Sequence, residues 1–69
     1  MTHEQYDALE RAIAEGQRMS VYRRGTEYTI IPGALRTSGN REALEAVHPT
    51  TGESITLYID ELDSIEVVR

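Results

Sequence analysis

Apolar residues recur at helical spacing near the start of the chain. Tyr6, Leu9, Ala12 and Ile13 share one face, while Glu4, Asp7, Glu10, Arg11 and Glu15 lie largely elsewhere. Thr2 and Gln5 have the spacing of a capping box, and Glu4 and Asp7 fall in the first turn, where the helix dipole favours anions. Gly16 suits the left-handed residue that closes a helix. The pattern predicts a helix over residues 3–15, with Asp7 and Arg11 as an (i, i+4) pair.

Beyond Gly16 the apolar period falls to two. Met19 and Val21 alternate with Ser20 and Tyr22 up to a turn at Arg24-Gly25, and Glu27 to Ile31 reads as a returning strand ended by Pro32-Gly33. Thr37-Ser38-Gly39-Asn40 reads as a loop, followed by a third strand carrying Leu44 and Ala46 up to Pro49. After a turn at Thr50-Thr51-Gly52, a fourth strand has Ile55, Leu57 and Ile59 on one side. Asp60 to Asp63 breaks the alternation as a short helical turn, capped by Asp60 or Asp63, and Ile65-Glu66-Val67 forms a fifth strand. One helix and five short strands predict a single domain over residues 1–69, mainly β: a helix over about 3–15 and a strongly bent antiparallel small barrel over about 17–68.

Composition narrows the function more than the fold. With 69 residues and no cysteine, packing or self-association must hold the domain, since no disulfide or cysteine-based zinc site is available. No apolar run approaches the length of a membrane span and the start lacks a signal-peptide pattern, so the expected location is cytoplasmic, with no membrane partner. The formal net charge of −5 points to a basic protein partner rather than a bare phosphate backbone. Every basic residue is arginine, a side chain suited to forked hydrogen bonds and stacking.

Candidate chemistry is sparse. His3 and His48 lack a second ligand at metal-binding spacing, Ser20, Ser38, Ser54 and Ser64 sit in no nucleophile elbow, and no phosphate-binding loop exists in a chain without lysine. The run from Asp60 to Ser64 contains no glycine and does not read as a calcium loop. These features predict no enzyme, no metal and no cofactor. Two binding patterns remain. Glu4, Asp7 and Glu10 present carboxylates that can stand in for phosphates on a basic partner. Tyr22, Tyr28 and Tyr58, with Arg23, Arg24 and Arg36 near strand ends, have the aromatic-plus-arginine vocabulary of single-strand binding.

Tyr6-Asp7-Ala8-Leu9-Glu10-Arg11-Ala12 resembles the Tyr-Asp-x-Leu-Glu-x-Ala opening of the Rof family, small bacterial inhibitors of the transcription termination factor Rho. Glu42-Ala43-Leu44 and Leu57-Tyr58-Ile59-Asp60-Glu61-Leu62-Asp63-Ser64 resemble that family's Glu-Tyr-Leu and Leu-x-Leu-Asp-x-Ile-x-Ser. The family's Cys-Asp before the Tyr-Asp is replaced around His3-Glu4-Gln5. A second resemblance, to the WYL domain, rests on Ala12-Ile13, Val21-Tyr22, Pro32-x-x-Leu35, Leu44-x-Ala46 and Leu57-x-Ile59-Asp60-x-Leu62, with Glu42-Ala43-Leu44 where that family carries Trp-Tyr-Leu. Both resemblances imply an Sm-like or SH3-like small barrel with an N-terminal helix.

The Rof-like resemblance implies a non-enzymatic antiterminator whose Glu4, Asp7 and Glu10 dock the basic RNA-binding surface of a Rho-type factor, with Tyr6 mainly in the core. The WYL-like resemblance implies a regulatory module that senses nucleic acid or nucleotide, with Tyr22, Arg23 and Arg36 as ligand residues. A structural module that pairs its exposed sheet edges into an oligomer is a third expectation.

Overall fold

A computed structural model describes residues 2–68. The helix α1, His3–Glu15, has the expected limits. The Thr2 Oγ1 accepts from the Gln5 N–H at 3.2 Å and the Gln5 Oε1 accepts from the Thr2 N–H at 2.9 Å, so both halves of the capping box are made. Gly16, at φ 66°, closes the helix, and its N–H reaches back to the carbonyls of Ala12 and Ile13. The expected Asp7–Arg11 pair is not made. Asp7 instead lies 3.6 Å from His3, one turn towards the N-terminus, and both side chains are exposed enough for either pairing to be weak.

Five strands follow: β1 Met19–Arg23, β2 Thr26–Ser38, β3 Arg41–Val47, β4 Ser54–Tyr58 and β5 Ser64–Val67, with a 3-10 turn at Ile59–Glu61 before β5. They form an antiparallel sheet in the order β4-β3-β2-β1-β5. Strand β2 belongs to both halves: its first part pairs with β1 and its second with β3. A straight strand of that length would measure about 40 Å, longer than any dimension of the 31 × 25 × 23 Å molecule. The sheet therefore bends around β2. It does not close into a complete barrel, because β4 and β5 each lie at an edge of the sheet.

Pro32-Gly33 does not end the second strand as expected. The ladder shifts register between Pro32 and Ala34, so the two residues sit at a β-bulge and the strand runs on to Ser38. A bulge tolerates the missing proline donor, and a Cβ at position 33 would sit in ordinary contact, 3.4 Å, with the Glu45 carbonyl oxygen. The extra residue also switches which positions face inward. Tyr28, Ile30 and Pro32 point to the core before it and Leu35 after it, where Leu35 pairs with Leu44. The turn between β2 and β3 thus shrinks to Gly39-Asn40, and β3 begins at Arg41.

The core is one cluster. Leu9 and Ala12 of α1 meet Met19, Val21, Ile30, Leu44, Ala46 and Leu57 of the sheet, with Ile59 and Leu62 completing it. Tyr6, half-buried, packs against this cluster, and its hydroxyl donates to Glu42 Oε1 at 2.6 Å. Ile59 leaves the strand pattern yet stays buried through the 3-10 turn. Neither Asp60 nor Asp63 caps that turn: Asp60 is taken by Arg41 and Asp63 by the Gly25 N–H. No helix among the described residues is long and apolar enough to cross a membrane.

Leu44 is fully buried where the two halves of the sheet meet the helix. We expect Leu44→Ala to cost about 2–5 kcal/mol, comparable with the entire stability of a domain this small. Urea denaturation should show a collapsed midpoint or an unfolded chain.

Candidate functional site

Strands β1 and β2 are joined by the shortest kind of hairpin turn. Arg23 pairs with Thr26, which leaves Arg24 and Gly25 as the two turn residues, at φ 52° and 78°. Two successive positive φ values define a type I′ turn, whose twist matches the strands it joins. Glycine adopts that geometry freely, whereas for arginine it costs about 1 kcal/mol or more. Arg24 is the one non-glycine residue at positive φ among the described residues. The turn is held from outside. Asp63 Oδ2 accepts from the Gly25 N–H at 3.3 Å, and the Asp63 N–H donates to the Tyr22 carbonyl at 2.7 Å.

Register places Tyr28 two residues beyond Thr26, on the same face as Arg23 and diagonal to it. The Arg23 Nη2 donates to the Tyr28 hydroxyl at 3.2 Å, and the guanidinium carbon stands 5.1 Å from the ring centroid. Both side chains are half-buried, and Tyr28 packs against the core cluster. Arg23, Arg24, Thr26, Tyr28 and Glu61 line an open cleft of about 370 Å³. Among the described residues neither Arg23 nor Arg24 has a carboxylate partner.

Arg41 is engaged differently. Its Nε and Nη2 donate to both carboxylate oxygens of Asp60 at 3.0 and 2.8 Å, Glu61 lies at 3.4 Å, and the guanidinium covers the Tyr58 ring at 3.8 Å. The Arg41 hydrogen bonds hold the Asp60 carboxyl below its ordinary range, and Asp60 in turn pushes the guanidinium further up. This network ties the start of β3 to the turn after β4 and leaves Arg41 little capacity for a ligand.

The residues singled out from sequence are not gathered in one place. Glu4, Asp7 and Glu10 are all exposed on α1, with Asp7 beside His3. Tyr22 and Arg23 are neighbours on β1 and so point to opposite faces of the sheet. The Tyr22 hydroxyl donates to Glu27 at 3.3 Å, and the Glu27 charge, with burial and Glu66, raises its pKa. Arg36 lies in the other half of β2, paired with Glu45 at 2.7 Å. Of that trio, Arg23 alone lines the cleft. Its neighbours there, Arg24 and Tyr28, belong to the same aromatic-plus-arginine pattern, and the hairpin register is the signal that joins them. No group of three potential metal ligands exists among the described residues.

A helix followed by a bent five-stranded antiparallel sheet, with an open polar cleft of adjacent arginines at the first hairpin, defines the class as a small, mainly β domain. No family model and no curated protein matches the chain. Among solved structures it is similar to Proteasome accessory factor B/C (PafBC) of Arthrobacter aurescens, with a TM-score of 0.77 at 22% identity over 97% of this chain. The matched region is 12% of the PafBC chain, and at this identity the likeness is one of fold.

Because the turn geometry at position 24 suits asparagine better than arginine, we expect Arg24→Asn to raise stability by roughly 0.5–1 kcal/mol. A thermal melt should rise by a few degrees. A fall would show that the Arg24 side chain takes part in holding the fold.

Proposed function

We propose that the chain is a non-enzymatic, WYL-like regulatory module that binds an anionic ligand, a nucleotide or single-stranded nucleic acid, in the cleft of Arg23, Arg24, Thr26, Tyr28 and Glu61. The observation that carries this reading is that two adjacent arginines, neither with a carboxylate partner among the described residues, line one cleft in a chain whose net charge is −5. Arg36 and Arg41 are neutralised by carboxylates, whereas Arg23 and Arg24 stand side by side at an open cleft. Their charge is available to phosphate, and the half-buried Tyr28 offers a ring on which a base can stack. The fold likeness to PafBC supports the regulatory part of the reading.

Exposure of Glu4, Asp7 and Glu10 supports a second, Rof-like reading in which α1 docks the basic RNA-binding surface of a Rho-type factor. The two use different faces and separate cleanly. Under the first, Arg24→Glu weakens binding of a short mixed-sequence single strand at least tenfold and flattens the dependence of log affinity on log salt by about 0.7 for each phosphate the protein no longer neutralises. Fluorescence anisotropy across a salt series measures both. Under the second, Asp7→Arg with Glu10→Arg abolishes co-purification with the Rho-type factor while the thermal melt stays within a few degrees of wild type. Unaltered binding in either case removes the corresponding face from the interface.

A further inference from the structure

The cleft at the first hairpin contains one group that a purely anionic ligand would not want. Arg23 and Arg24 supply positive charge, Thr26 a hydroxyl and Tyr28 a ring, but Glu61 brings a carboxylate to the same lining. Its side chain is 32% exposed, and its ionic partner among the described residues is Arg41 at 3.4 Å. Arg41 is already held by both oxygens of Asp60 at 2.8 and 3.0 Å, so Glu61 is the weaker leg of that network and retains capacity to accept hydrogen bonds. A fitting ligand therefore carries negative charge for the arginines and, away from it, hydrogen-bond donors for Glu61.

Nucleotides differ in this respect. Guanine offers two adjacent donors, N1–H and the 2-amino group, which a carboxylate accepts side by side. Adenine and cytosine place a ring acceptor next to their amino group, and uracil and thymine flank their one N–H with carbonyls, so each turns lone pairs towards Glu61. Cleft size is also suitable, since about 370 Å³ lies within the range of small-molecule sites. We infer that the cleft selects a guanine nucleotide, free or within a single strand, with Glu61 reading the base edge, Tyr28 stacking and Arg23 with Arg24 holding the phosphate. This rests on the reading of the cleft as the ligand site.

The test is calorimetric titration of the intact chain with GMP, AMP, CMP and UMP, and with two thymidine strands, one carrying a single central guanine. The expected result is at least tenfold tighter binding of GMP, of the guanine-bearing strand, or of both. A preference confined to the mononucleotides assigns the free nucleotide as the ligand, and one confined to the strands assigns single-stranded nucleic acid. Glu61→Gln should remove the preference, while the other nucleotides bind as tightly as before or tighter, because a carboxylate that repels their phosphate has gone. Should that variant fail to fold, the wild-type ranking of bases still decides. Equal affinity for all bases, or preference for another one, overturns guanine selection while leaving an Arg24→Glu-sensitive anion site in place. No binding of any nucleotide or strand overturns both.

Discussion

Strand β2 carries the fold because it is the one strand that belongs to both ladders. It pairs with β1 through Thr26–Ile30 and with β3 from Ile31 onward, and the bulge between Pro32 and Ala34 follows within two residues of that change of partner. Without the extra residue, the alternation set by Tyr28, Ile30 and Pro32 would carry Leu35 to the outside, away from Leu44. The bulge thus does two things with one residue. It bends the sheet, and it keeps both halves facing a single core that α1 covers with Leu9 and Ala12. A chain of 69 residues has no surplus apolar surface for two cores, so the position of this bend decides whether there is a folded domain.

Electrostatics is organised by how each arginine is used. Arg36 is answered by Glu45 within the β2–β3 ladder, and Arg41 by Asp60 and Glu61 across to the turn after β4. These pairs are exposed, and their value lies in holding segments in register more than in stability. Among the described residues Arg11, Arg18, Arg23 and Arg24 have no carboxylate partner, and Arg23 and Arg24 are the two that stand side by side, at one hairpin of a net acidic molecule. Under the proposed reading, long-range repulsion of a polyanion by the whole chain and short-range attraction at Arg23 and Arg24 would together favour a short ligand over a long phosphate backbone.

Much of this architecture is legible in the sequence, and the rest is not for identifiable reasons. The helix from His3 to Glu15 is written locally, in the Thr2–Gln5 capping box and Gly16, and both act within a few residues. The strands are legible from their alternation, but Pro32-Gly33 reads as a terminator because proline and glycine most often stop strands; only pairing with Ala46 and Glu45 shows that they bulge. Asp60 and Asp63 look like caps from their place beside a turn, yet their partners, Arg41 and Gly25, lie 19 and 38 residues away. The cleft is half-legible. Its residue types are apparent, but alternation puts Tyr22 on the far side of the sheet from Arg23, and strand pairing, not proximity in sequence, brings Tyr28 to it.

Rigidity at that cleft follows from the core beneath it. Tyr28 packs against the hydrophobic cluster while its hydroxyl accepts from Arg23, so the guanidinium is aimed by a side chain that cannot easily move. Arg24 has no such support from its own backbone, which stands in a conformation that arginine disfavours. The two bonds made by Asp63 supply it from outside, clamping Gly25 and Tyr22 to the segment before β5. The strained residue follows β1 and its clamp precedes β5, at the same end of the last pair in the strand order, and the turn is held in shape while β5 is docked. A displaced β5 would release the Arg24 turn together with the sheet edge, so the shape of the hairpin and order in the last strand are mechanically one unit.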